Sequence, residues 1–112
     1  MQRFGSVIEL RPEKVGEYRR LHAAVWPEVL ERLRRSNVHN YSIYLRKFPD
    51  GRTFLFSYCE YRGSDHAADM AALAADPRTQ DWWRLTEPCQ QPLSDRPAGA
   101  WWAPMEEVFH LD

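Results

Sequence analysis

The chain opens on a clean alternation. Between Arg3 and Leu10, Phe4, Ser6, Ile8 and Leu10 fall on one side and Gly5, Val7 and Glu9 on the other, which is the period of a strand. Pro12 and Glu13 then change the rhythm: a proline at an early helical position and an acid in the positive first turn predict a helix. Along it Val15, Tyr18, His22 and Trp26 recur on one side, with Leu21 and Val25 beside them. Pro27 disfavours helical geometry at Trp26, so a break or kink is expected there, and a second helix runs from Pro27 towards Arg35 with Val29, Leu30 and Leu33 inward. Val38 to Phe48 alternates again, with Tyr41, Ile43 and Leu45 on one face and Asn40, Ser42, Tyr44 and Arg46 on the other. Pro49-Asp50-Gly51-Arg52 has turn chemistry, and Thr53 to Tyr61 is its aromatic-rich hairpin partner. Ser64 is placed to cap a helix through Leu73 and Ala74, and Asp76-Pro77 forms the N-cap and first residue of a further helix carrying Trp82 and Trp83. Pro88 to Pro104, with four prolines, one glycine and no periodicity, predicts a long loop; Met105 to Leu111 alternates once more as a last strand.

The order is β-α-ββ-α-β with split helices, which predicts an α+β fold of the ferredoxin-like, split βαβ kind: an antiparallel sheet with helices on one face. The other sheet face then needs cover, which a small domain often takes from a partner subunit. At 112 residues the chain forms one domain, residues 1–112. Its 13% aromatic content, with five Trp and five Tyr, exceeds what so small a core needs. Fifteen basic against sixteen acidic side chains, a formal charge of -1, set nucleic-acid binding aside. No apolar run is long enough to span a bilayer, and no leader-like segment follows Met1. Cys59 and Cys89 read as free thiols in a reducing compartment, so a cytoplasmic protein is expected.

Tyr18 and His22, four residues apart, project side by side from one helix. An imidazole, with an ordinary pKa of about 6.5, can donate and accept protons near neutrality. A helical histidine is also commonly a surface or structural group, and a tyrosine beside it a half-buried amphipathic one. Tyr41 sits on the more apolar strand face, where its hydroxyl needs a partner, either water or a ligand hydroxyl. Trp82 and Trp83 diverge by about 100° on a helix, so at least one faces a cavity or an interface; flat indoles suit the C–H faces of a sugar and equally suit a protein partner. There is no Gly-rich phosphate loop, no metal-spaced His/Cys/carboxylate cluster and no nucleophile motif, so no cofactor and no metal is expected. The available chemistry is proton transfer by His22 on an uncharged, hydroxylated ligand.

Four runs resemble one family. Glu17-Tyr18-Arg19-Arg20-Leu21-His22 followed by Val25-Trp26-Pro27-Glu28 is similar to the first motif of the L-rhamnose mutarotases, His39-Asn40-Tyr41-Ser42-Ile43-Tyr44-Leu45 to the second, Trp82-Trp83 to the third, and Glu106-Glu107-Val108-Phe109-His110-Leu111 to the closing strand. The resemblance covers nearly the whole chain in order. It implies a ferredoxin-like fold in a dimeric, barrel-like α/β assembly, a proton-donor role for His22, and sugar contacts by Tyr18, Tyr41, Trp82 and Trp83. The chain is several residues longer than the family pattern around Phe48–Arg52 and Arg62–Asp81 and carries an extra Trp101-Trp102, changes that bear on the rim of the pocket. The reaction implied is exchange of the anomers of a 6-deoxy-L-hexose, L-rhamnose first and L-fucose next. A cofactor-independent or haem-handling monooxygenase, and a non-catalytic dimeric ligand-binding domain, are the alternatives that this general fold leaves open.

Overall fold

A computed structural model describes all 112 residues. Strand β1 (Gln2–Leu10) pairs antiparallel along its full length with β3 (Thr53–Tyr61), which in turn pairs antiparallel with β2 (Val38–Lys47). The register sets Phe4, Ser6, Ile8 and Leu10 on the same face as Cys59, Ser57, Leu55 and Thr53. This inner face holds the core: Ile8, Leu10 and Leu55 pack with Tyr18 and Cys89, and Val15, Ile43, Leu45 and Trp102 close around them. Helices α1 (Val15–Ala23), α2 (Pro27–Arg35), α3 (His66–Ala75) and α4 (Pro77–Thr86) complete the expected α+β plan.

Local chemistry fixes most boundaries. Asp50 Oδ1 accepts the Arg52 N–H at 2.9 Å and Gly51, at φ +89°, turns the hairpin between β2 and β3. Asp76 caps α4, accepting from both the Thr79 N–H and the Thr79 hydroxyl at 2.9 Å. Two boundaries and one side chain's facing differ from expectation. α1 ends at Ala23 rather than at Trp26, so Trp26 is the extended residue before Pro27 (φ -60°, ψ 134°), where the proline ring excludes the helical conformation. The cap of α3 is Asp65, whose carboxylate accepts the Ala68 N–H at 3.1 Å, and not Ser64. Leu30, expected inward, is 37% exposed beside a groove between α2 and β2.

The last strand departs most. Two short pieces, β4 (Gln90–Gln91) and β5 (Ala103–Met105), both lie antiparallel against β1 on the edge away from β3. Gln91 pairs with Glu9 and Ala103 with Val7, so residues 92–102 form an excursion that leaves the ladder and returns two steps along. They occupy the fourth position of a ferredoxin-like sheet, in the order β2-β3-β1-β4. The predicted strand over Met105–Leu111 stops at Met105, opposite Gly5, and the chain leaves the ladder although β1 continues to Gln2. Beyond it only the Arg3 guanidinium reaches the tail, donating to Glu107 Oε1 at 2.9 Å, while Val108, Phe109 and Leu111 are exposed.

Leu55 meets Ile8 on one ladder and Leu45 on the other, at 1% exposure. Leu55→Ala is therefore expected to cost about 2–5 kcal/mol, read as a lowered urea midpoint with an unchanged m-value.

Candidate active site

One extra residue in β2 aims the site. His39 pairs with Glu60 and Ser42 with Tyr58, so three steps along β2 match two along β3. Asn40 absorbs the bulge at φ +49°, a left-handed conformation that asparagine tolerates, and its Nδ2 donates to Glu60 Oε2 at 2.9 Å. Glu60 also accepts from Arg62 and Tyr58, and these hydrogen bonds hold its carboxyl down at about 2. The bulge reverses the alternation, so that Tyr41, Ile43 and Leu45 face inward on the same side as Val38.

The inward face and the helices enclose a cavity of about 380 Å³, within the usual range for a small-molecule site. Tyr18 and His22 of α1, Tyr41 of β2, and Trp82 and Trp83 of α4 all border it. A wider hollow of about 580 Å³ beside α1 and α2 shares Tyr18, His22, Tyr41 and Trp82 with it, so the two form one continuous groove. Its walls are mostly apolar and aromatic, and Glu87 is the single carboxylate among the residues lining the inner cavity.

His22 is held on three sides. Its ring stacks on Tyr18 with centroids 4.0 Å apart and meets the Trp82 indole edge-on at 5.4 Å. Its Nδ1 lies 3.0 Å from the Tyr18 carbonyl oxygen. A carbonyl can only accept, so Nδ1 carries the hydrogen, and in the neutral ring Nε2 is the free base. Burial lowers the His22 pKa below its ordinary value, and the hydrogen bond to the Tyr18 carbonyl opposes that only in part. Trp82, 6% exposed, is braced in turn by Trp26 edge-on at 5.2 Å, with the Arg78 guanidinium 4.1 Å above the Trp26 ring. Adjacency on the helix thus leaves Trp82 packed and Trp83 half-buried, both on the cavity.

The two phenols differ. Tyr18 is buried with the core, and desolvation raises its pKa far above the ordinary phenol value. Tyr41 keeps 45% of its surface open, but that surface looks into the concavity. Enclosure pushes its hydroxyl up to about 12, with the nearby Cys59 thiol a smaller cause. Both remain neutral hydrogen-bonding groups at physiological pH. Sequence reasoning did not single out Gln90, Ser6, Ser57 or Cys59 on the same wall. The Ser6 and Ser57 hydroxyls face each other at 2.6 Å across the β1–β3 ladder, a pair visible only once the register is known.

An α+β sheet with an apolar, aromatic cavity, one inward imidazole and neutral phenols defines a protein for acid–base work on an uncharged ligand. The family model for L-rhamnose mutarotase matches residues 3–111. Over 112 residues the chain is 32% identical to the L-rhamnose mutarotase of Oceanobacillus iheyensis and 33% identical to that of Bacillus subtilis, each match covering both chains completely. The crystal structure of the L-rhamnose mutarotase FA22100 from Formosa agariphila shares the fold, with a TM-score of 0.74 at 24% identity and full coverage of both chains. The chain belongs to the L-rhamnose mutarotase family. No helix is long and apolar enough to cross a membrane.

The direction of the His22 shift has a consequence for stability. With its folded pKa below the unfolded one, the folded state binds fewer protons as the pH falls through about 6.5, so that stability is lost on acidification. Between about pH 7 and pH 5, the melting temperature of the wild type should fall further than that of His22→Asn, which offers a comparable donor to the Tyr18 carbonyl but does not titrate. Parallel curves for the two proteins would contradict a destabilised imidazolium.

Proposed function

We propose that the protein interconverts the α and β anomers of L-rhamnose, with His22 as its proton donor. The observation that carries this reading is that Tyr18 and His22 of α1, Tyr41 of β2, and Trp82 and Trp83 of α4 border one cavity although the three elements are far apart in the chain. Membership of the family over the full chain favours it over an oxygenase. Mutarotation needs a base to take the proton of the anomeric hydroxyl and an acid to protonate the ring oxygen. The ring opens, the aldehyde rotates, and the hydroxyl recloses on its other face. The imidazolium form of His22 gives its Nε2 proton to the ring oxygen, the lowered pKa making it the stronger donor, and the neutral ring recovers the proton at Nε2 as the hemiacetal closes. A water in the cavity, or His22 acting in sequence, takes the anomeric proton. Tyr18 and Tyr41 hydrogen-bond sugar oxygens, and Trp82 and Trp83 hold the ring. The apolar walls suit the methyl corner of a 6-deoxy sugar, worth about 0.8 kcal/mol, while hydroxyl orientation supplies the remaining discrimination.

His22→Ala should lose anomeric exchange, measured by saturation-transfer NMR on L-rhamnose, L-fucose and D-glucose, by about two orders of magnitude or more, with its circular dichroism unchanged. Wild-type exchange in that variant would end the assignment.

The functional unit we propose is a homodimer in the cytoplasm. Both thiols are free, as a reducing compartment would keep them. On the outer sheet face Phe54 and Phe56 lie 6.5 Å apart with Phe48 against Phe54 at 5.4 Å, and Tyr44 beside them is 66% exposed. Such an aromatic patch, with the apolar tail at Val108 and Phe109, calls for cover. Light scattering at micromolar concentration should give a dimer mass, and Phe56→Asp should halve it; a wild-type monomer would rule the dimer out.

A further inference from the structure

Gln90 is 5% exposed, borders the cavity, and stands between two aromatic side chains. The Trp101 indole N–H donates to Gln90 Oε1 at 2.8 Å, and Gln90 Nε2 lies 3.4 Å from the Tyr18 hydroxyl oxygen. An indole nitrogen can only donate. The amide oxygen must therefore face Trp101, and the amide NH2 must face Tyr18. An amide nitrogen also only donates, so the Tyr18 oxygen accepts, and this is the hydroxyl's one hydrogen bond within the chain. Its own hydrogen is left for the cavity.

We infer that Gln90, oriented by Trp101, is a positioning residue that fixes Tyr18 as a hydrogen-bond donor to the sugar. The inference rests on the mutarotase reading for its substrate but not for its geometry. The ring oxygen of a pyranose has no hydrogen and can only accept, whereas a hydroxyl can do either. A tyrosine whose hydrogen is committed to the cavity suits an acceptor, and Tyr18 stacks on the ring of the proton donor His22. Burial keeps the phenol protonated, so the group orients and does not itself lose its proton. The 3.4 Å separation makes the amide a directional constraint more than a strong bond. The excursion over residues 92–102 acquires a task by the same argument: it returns to the sheet at Ala103 just after delivering the indole that sets the amide.

Gln90→Glu tests the direction of the chain with little change of shape. A carboxylate still accepts from the Trp101 indole, but it also accepts from the phenol and turns the Tyr18 hydrogen away from the sugar. We expect kcat/KM for anomeric exchange to fall about tenfold in Gln90→Glu and in Gln90→Leu, with most of the loss in KM. In a Tyr18→Phe background the same substitutions should cost nothing further, because the hydroxyl through which they act is gone. Additive losses in the double variants, or wild-type kinetics in Gln90→Glu, would overturn the proposal. A second readout is independent of the reaction. The 13Cζ resonance of Tyr18 in tyrosine-labelled protein should move in Gln90→Leu and in Trp101→Phe. If the wild type exchanged no sugar, the functional reading would fail alone, and this resonance would still decide: a shift supports the relay, and an unmoved line refutes it.

Discussion

A buried hydroxyl must find a hydrogen-bond partner, and in this fold that requirement falls on Tyr18. Its ring packs with Ile8, Leu10, Leu55 and Cys89, so it cannot be moved without opening the core. Its carbonyl takes the Nδ1 hydrogen of His22 and its ring face supports the imidazole. Its oxygen is met by Gln90, which belongs to the far end of the chain. One residue thus joins the sheet's packing, the state of the histidine and the closing of the last strand. The core is not a neutral scaffold behind the site; its largest polar member is the back wall of the cavity.

The second constraint lies in β2, where a single extra residue decides which side chains look inward. A regular strand starting with Val38 on the inner face would also turn Asn40 and Ser42 inward and send Tyr41 and Ile43 out. The left-handed Asn40 undoes that, and its side chain is tied to Glu60 on the outer face. The bond with Glu60 holds the bulge in place, while the inner face receives the product of the bulge, a phenol over the cavity.

Much of this was legible because it is local. The four-residue spacing of Tyr18 and His22, the Asp76-Pro77 start of α4 and the hairpin turn at Gly51 each follow from chemistry within one turn of the chain. The bulge left a trace as well: inward apolar positions at Val38, Tyr41, Ile43 and Leu45 step by three and then by two. What escaped depends on where the chain returns. β4 has two residues and β5 three, too few for alternation to register, and both exist because β1 offers them a ladder eighty or more positions earlier. Gln90 gave no signal of its own, since its neighbours read as loop and its meaning lies in Trp101, eleven positions on in the same loop, and Tyr18, 72 positions back. The closing alternation of Met105–Leu111 misled in the other direction: its period is that of a strand, but the ladder with β1 ends at Met105 opposite Gly5.

The interrupted fourth strand also decides how this sheet can meet its surroundings. A long, flat, unpaired edge is a template on which another chain can extend the sheet. Here one edge consists of two fragments separated by an excursion, with Pro92 following the first and Pro104 inside the second. The opposite edge, β2, is kinked by its bulge and carries Arg46 and Lys47 at its end. One side offers only fragments and the other only the short regular run from Ser42 to Lys47 beyond the bulge, so open-ended growth into fibrils finds no long straight border to begin from. This sheet can be covered, but it cannot readily be lengthened.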